Sequence, residues 1–498
     1  MSQRLSMSDE IDDERSNLSL DVTEGKLSFD VSIEETELER KFRRSRLLTA
    51  YLLSIGIPNP VTPILWIAGP LCGMLVQPIF GALSDSFRPR YGHSRRKPFV
   101  LAGTLATVFS MLSLACIDDT VYVFQLISSN DISQTLRLIF AFLCVYALNI
   151  SLQPLQGGIR TMLFESCPRE QQAKVASQYS IIVALGNVSG YFLGSISLQE
   201  LGIPIISRMT QFQALCVTIS LLLLATTTIT CLYAKEDPFT ASEHTSPGPG
   251  RFSLRRSYRS AIINAVWENF ICLRSLPDYV YLVFQVQFFS WLGWFPVIYY
   301  QTSYLADLYI SSASVEKNNM EESLNADAMK KASFATLLFS FVALITALLL
   351  SFLVSRKATR FRYVRIATGE DSTVLVTLWL FGHLLFAASM FTTIFVKTIS
   401  QGTILVATIG ISWTLTNLVP FAIIGKEVAQ SPQAGMLTSL HNAAISSPQI
   451  LAAVISALLF LVAKYMGRRD DIIWAMWMAG LAAIAAAWKT LQLRFLLT

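Results

Sequence analysis

Charge is scarce in this sequence. Of its 498 residues only 15% are Asp, Glu, Lys or Arg, against the roughly 25% usual for a soluble domain. With 53% hydrophobic residues and a mean hydropathy of +0.48, the balance argues against a soluble enzyme. Thirty-nine basic residues against 34 acidic ones leave a net charge of +5. That excess is too mild and too scattered for a nucleic-acid binder, so the surrounding partner is membrane lipid. Histidine is rare, and the seven cysteines stand singly with no CxxC pair; neither a disulfide framework nor a zinc site is expected, and no metal or cofactor is implied. A Walker-type Gly-rich loop with its lysine, a Gly-x-Ser-x-Gly elbow and a His-Glu-x-x-His pair are all missing. ATP-driven transport and intramembrane hydrolysis therefore lack their parts. The short alternating strands of an outer-membrane barrel and the filter loop of a channel are not seen either.

What the chain has instead is apolar runs. Eleven of them, near 61–83, 98–117, 136–158, 174–198, 211–233, 279–300, 333–354, 373–395, 403–424, 435–463 and 472–494, match the roughly 20 residues a helix needs to cross a bilayer core. A twelfth, Leu47 to Ile57, reaches only about 16 Å at 1.5 Å per residue before Pro58-Asn59-Pro60 ends it, so the first helix reads as truncated. Residues 1–39 hold twelve acidic residues against three basic ones, the composition of a disordered tail, and Lys41 to Arg46 close that tail with a basic run. Arg88, Arg90, Arg95, Arg96 and Lys97, and in the second half Arg356, Lys357, Arg360, Arg362 and Arg365, mark two cytosolic loops. The acid-leaning stretch 303–332 belongs outside. The expected organisation is a tail over 1–46, a helical half over 47–233, a cytosolic linker over 234–278 and a second helical half over 279–498. This is an all-α membrane protein of two six-helix halves, eleven full spans plus a half-helix, the parallel-repeat arrangement of the major facilitator class.

Gly81-Ala82-Leu83-Ser84-Asp85, followed by Arg95-Arg96-Lys97-Pro98-Phe99, resembles the loop motif of that class. The resemblance implies that Gly81 permits close helix packing and that Asp85, Arg95 and Arg96 form a charge cluster closing the cytosolic gate. Further blocks narrow the likeness: Ile67-Ala68-Gly69-Pro70-Leu71, Gln77-Pro78, Leu155-Gln156-Gly157-Gly158-Ile159-Arg160 with Glu165, Gly186 to Tyr191, Trp291 to Pro296, Pro420-Phe421-Ala422, and Asn442 to Ile445 with Pro448-Gln449. From about Ala50 to the end of the last helix the chain is similar to the plant and fungal sucrose and α-glucoside proton symporters, and most like the fungal members. Where plant members place an aspartate eleven residues before the arginine, this chain has Asn149.

That resemblance implies a sugar substrate, carried by alternating access with protons possibly co-transported, across the plasma membrane in preference to the vacuolar one. An arginine inside a membrane segment is costly and usually faces a cavity; Arg160 either does so or snorkels to the headgroups from a helix end. In a cavity its five fixed donors suit sugar hydroxyls or a countercharge for Glu165. Pro154 with Gly157-Gly158 is expected to break that helix. Sugar hydroxyls call for amides, and at helical spacing Asn149, Gln153 and Gln156 fall on one face. Gln287, Trp291, Trp294 and Asn442 complete the candidate binding set, and Glu165 and His441 are the candidates for proton coupling. Three functions remain open: a proton-coupled glycoside carrier, an uncoupled facilitator, and a non-transporting sensor or defective paralogue.

Overall fold

The computed structural model describes residues 62–87, 94–120, 133–195, 198–201, 204, 206–234, 236, 274, 276–313, 321–355, 372–466 and 471–498. The acidic tail, the half-helix at 47–57, Arg88 and Arg90, most of the linker and the basic loop at 356–365 lie outside the described residues. Among those described there is no strand, and eleven helices account for nearly everything. In chain order they are α1 (Thr62–Ser86), α2 (Lys97–Ala115), α3 (Ser133–Glu165), α4 (Gln172–Ser195), α5 (Gln211–Tyr233), α6 (Asp278–Ala313), α7 (Glu321–Ser355), α8 (Ser372–Thr392), α9 (Ile399–Val428), α10 (Ala434–Tyr465) and α11 (Asp471–Leu497). Each overlaps one of the eleven apolar runs. All except α4 are long and apolar enough to cross a membrane by length and composition.

Helices suit these segments because no water is present in a bilayer core to satisfy stray backbone groups, and a helix satisfies its own. Where the ends meet water, side chains take over. Thr210 and Gln213 form a capping box on α5, as do Thr398 and Gln401 on α9. Large apolar side chains such as Phe109, Ile229, Phe352, Phe381 and Leu461 stay exposed along the helices, which gives the bundle a lipid-facing surface.

Several helices run further than their apolar runs, α6 and α7 the most. The stretch 303–332, expected as an outer loop, is largely helical, because α6 continues to Ala313 and α7 already begins at Glu321. Hydropathy reports only the part of a helix that lies in lipid, whereas the hydrogen-bond ladder continues wherever packing holds it. Here Leu305 is fully buried and Tyr304 donates its hydroxyl to the Thr393 carbonyl at 3.1 Å. The expected break at Pro154 does not occur either, since α3 continues to Glu165. Pro154 seats against Gly103 of α2, and the Thr161 hydroxyl donates to the Gly157 carbonyl.

The two sets of helices meet mainly along three pairs. α1 lies against α10, and α4 against α7 and α9. The largest apolar cluster joins both sets, with Phe164 and Ala176 packed among Phe284, Trp379, Leu418 and Phe421. Further along α4, no described residue lies within 4 Å of where a Cβ would stand at Gly186 or Gly190. The two sets are in contact at the end where α1 stops and α10 begins.

Candidate functional site

The contact rests on a charge cluster at the foot of α1. The Asp85 carboxylate accepts from the backbone N–H groups of Gly435 at 2.9 Å and Met436 at 2.8 Å, at the first turn of α10. A helix N-terminus carries unsatisfied donors and the positive end of the dipole, so an anion is held well there. From the other side Arg96, which has no exposed surface, donates to Asp85 Oδ1 at 2.5 Å and to Ser84 Oγ at 2.5 Å. Arg96 also reaches both oxygens of Glu165, at 2.8 and 3.2 Å, and Arg95 pairs with the same carboxylate. Burial alone would lower the Arg96 pKa, but Asp85 and Glu165 outweigh it and push it up, so the guanidinium stays charged. Glu236 accepts from the backbone N–H groups of Arg95, Arg96 and Lys97 at 2.7 to 3.0 Å and so closes the N-terminus of α2.

Close approach makes this geometry possible. A Cβ at Gly81 would lie 2.2 Å from Ser439 Oγ and 2.5 Å from the Gly435 carbonyl, so α1 and α10 can cross here only on glycine. A second link between the halves is less buried: Arg169 Nη2 lies 3.6 Å from Glu427, which also accepts from Tyr279, and Arg169 donates to Gln430 at 3.2 Å.

Deeper in the bundle a polar cluster joins α3, α6, α9 and α10. Arg160 donates to Asn442 Oδ1 at 3.0 Å, with its guanidinium carbon 5.6 Å from the centre of the Phe421 ring, within cation–π range. Asn442 in turn donates to the Gly73 carbonyl of α1 at 3.3 Å. His441 lies edge-on to Phe421 with centroids 5.0 Å apart, and its Nε2 is 3.2 Å from Gln287 Nε2; the amide donates when that imidazole nitrogen is unprotonated.

Of the residues singled out in the sequence, Arg160, Gln287, His441 and Asn442 come together, and so do Gly81, Asp85, Arg95 and Arg96. Others do not join them. Glu165 is engaged by Arg95 and Arg96, not by Arg160, because five positions along a helix turn two side chains about 140° apart. Asn149 donates to the Val145 carbonyl, Gln153 donates to the Asn149 carbonyl, and Gln156 is exposed. Trp294 is fully buried inside the second half, 4.3 Å from Phe386 and 5.0 Å from Trp413, centroid to centroid, and Trp291 packs on Trp413 as well. The Glu236 cap and the Arg169–Glu427 pair carry no sequence signal, since their partners lie more than a hundred positions away.

Two helical sets, joined at one end by a charge latch beside an internal polar cluster, have the architecture of a multi-pass membrane carrier. The chain belongs to the Major Facilitator Superfamily, whose family model matches residues 47–453. It is 28% identical to a general alpha-glucoside permease of Schizosaccharomyces pombe, over 89% of this chain and 88% of that one. It is 30% identical to a sucrose transport protein of Arabidopsis thaliana over 52% of this chain and 50% of the relative. Among solved structures it is similar to the Escherichia coli fucose:proton symporter, with a TM-score of 0.54 at 13% identity, covering 94% of this chain and 98% of the other. A bacterial homologue of the iron transporter ferroportin gives a TM-score of 0.56 at 12% identity, covering 93% and 98%.

Removing one member of the latch should open it. Asp85→Asn leaves Arg96 short of a countercharge in a buried site, a loss of about 3–5 kcal/mol by analogy with other broken buried pairs. Arg96→Lys should act in the same direction, because an ammonium cannot span Ser84, Asp85 and Glu165 at once. The readout is labelling of a Ser439→Cys reporter by a thiol reagent applied from the cytosolic side. Both changes should accelerate it at least about tenfold, and an unchanged rate would show that the halves are held elsewhere.

Proposed function

We propose that this protein carries sucrose or a related α-glucoside across the membrane by alternating access, with the Arg160 cluster at the centre of the solute site. The observation that carries this reading is the 3.0 Å hydrogen bond from Arg160 of one half to Asn442 of the other. It places a planar five-donor group, an amide and the Phe421 face where the two halves meet. Sugars need such a mixture, since each hydroxyl seeks a donor and an acceptor while the C–H face of the ring is apolar. The names of the fungal permease and the plant sucrose transport proteins point to the same solute class. We place the carrier in the plasma membrane, where it would meet external glucosides. Uptake of labelled maltose and sucrose by a transport-deficient host expressing the protein tests the proposal. Accumulation or equilibration of either sugar is the expected result, and binding without uptake would point to a sensor.

Arg160→Ala should reduce uptake at least about a hundredfold while the protein still reaches the membrane, in line with the roughly 2–5 kcal/mol lost on truncating one partner of a buried charged hydrogen bond. Arg160→Lys should fail too, because an ammonium lacks the planar fork. Near-normal uptake by the lysine variant would reduce the arginine to a membrane anchor.

Asn149 favours an uncoupled or weakly coupled cycle as the second reading. A proton-coupled carrier needs a group that gains and loses a proton as the gates exchange, and an amide does not titrate in the physiological range. Glu165 is a poor substitute, being held in the cytosolic latch by Arg95 and Arg96. Sugar-induced alkalinisation of the medium should therefore be small for the unaltered protein and larger for Asn149→Asp. A full-strength proton signal without the substitution would transfer the coupling role to His441.

A further inference from the structure

Gln77, on α1, is completely buried, and neither its amide nitrogen nor its amide oxygen has a hydrogen-bond partner in the structure. A buried amide left without partners is costly, so what normally meets it requires an explanation. The side chain borders a small cavity of about 10 Å³, room for about one water molecule. One water cannot satisfy two amide hydrogens and a carbonyl together. The position is also a crowded one: a Cβ at Gly157 would lie 3.2 Å from Gln77 Nε2, so glycine on α3 leaves the amide its place.

The cavity lies between the two features already described. Gly73, Gln77 and Gly81 succeed one another at four-residue intervals on one face of α1. Gly73 offers its carbonyl to Asn442 of the central cluster, and Gly81 meets Gly435 at the latch. The walls divide by half. Gln77, Ser84, Gln153 and Thr161 belong to α1 and α3, whereas Gly435 and Ser439 belong to α10. The Thr161 hydroxyl and the Gln153 amide each donate to a carbonyl of their own helix, which leaves their oxygens to accept, whereas Ser84 Oγ already accepts from Arg96. When the cytosolic contacts part, α10 withdraws with its half. The wall that stays behind is a row of acceptors with one uncommitted amide among them.

We infer that Gln77 is a solute contact of the inward-open state: an amide kept behind α10 while the cytosolic side is closed, and presented to the hydroxyls of the carried sugar once α1 and α10 separate. The inference rests on the sugar-carrier reading above. It adds a binding residue on the cytosolic side of Arg160 that the closed state conceals.

Gln77→Leu, close in volume and without polar atoms, is the test, with Gln77→Asn as a shorter amide in case leucine impairs insertion. Half-saturation for labelled maltose or sucrose, whichever the unaltered protein carries, is measured in inside-out and in right-side-out vesicles. The cytosolic constant should rise about tenfold relative to the extracellular one, the worth of one good hydrogen bond. An unchanged ratio would leave Gln77 as the seat of a buried water and overturn the inference. Accessibility is read separately. A membrane-impermeant thiol reagent should label Gln77→Cys in inside-out vesicles beyond the background of the native cysteines, and the sugar should slow that labelling. Absence of labelling overturns the inference whether or not sugar is carried. If the unaltered protein carries neither sugar, the sugar-carrier reading fails and the assignment of a sugar contact fails with it, whereas labelling with normal uptake but no protection by sugar defeats this inference alone.

Discussion

The closed state depends on how one carboxylate, Asp85, is shared. Its charge partner, Arg96, belongs to the same half of the molecule, while the groups it holds on the other half are the backbone N–H groups of Gly435 and Met436. The distinction matters when the halves part. Pulling apart a buried ion pair would strand two charges in a poorly solvated place. Releasing two N–H groups of a helix terminus exposes only neutral donors, which water satisfies at once. The full charges Asp85, Arg95, Arg96 and Glu165 therefore remain together through an opening, and at Asp85 the link across the boundary is to a helix dipole. Among the described residues an ion pair also crosses between the halves, Arg169 with Glu427, and its side chains are 45% and 25% exposed, where water can replace each partner.

The latch and the central cluster are two ends of one seam. On α10 the residues Gly435, Ser439, Asn442 and Ser446 recur at intervals of three and four and face Gly81 and Gly73 of α1. Small side chains let the two backbones approach closely, the usual way for helices to associate where no hydrophobic effect drives them. A movement of α10 away from α1 therefore changes the latch and the Asn442 environment together. Arg160, held by Asn442 across the boundary, is placed to register that movement.

The eleven helices were legible in the sequence because apolar length is what a bilayer selects, and each run overlaps one of them. Their limits were less so. Nothing in hydropathy marks where α6 ends beyond the membrane, and Pro154 sits within an unbroken α3 because Gly103 of a neighbouring helix makes room for its ring. In the site, Arg160, Asn442, Gln287 and His441 could be picked out by chemical type, since polar groups in apolar segments are too costly to be incidental. Trp294 could not be placed in that way. Helical spacing says that it shares a face with Trp291, but whether that face looks into a cavity or towards Phe386 depends on helices almost a hundred residues away. Gln77 was visible only as part of a motif, and its lack of partners is a property of the packing.

The length of α6 has a mechanical consequence. Its 36 residues span about 54 Å at 1.5 Å per residue, well beyond the roughly 30 Å of a hydrocarbon core, and α7 is nearly as long with 35 residues. The surplus forms a mast fixed to the second half through Tyr304 and Leu305. A mast turns a small rotation at its base into a large sweep at its tip. Two probes, one on this mast and one on the outer end of the first half, would thus report the rocking of the molecule as a change of distance, far from any residue that the solute touches.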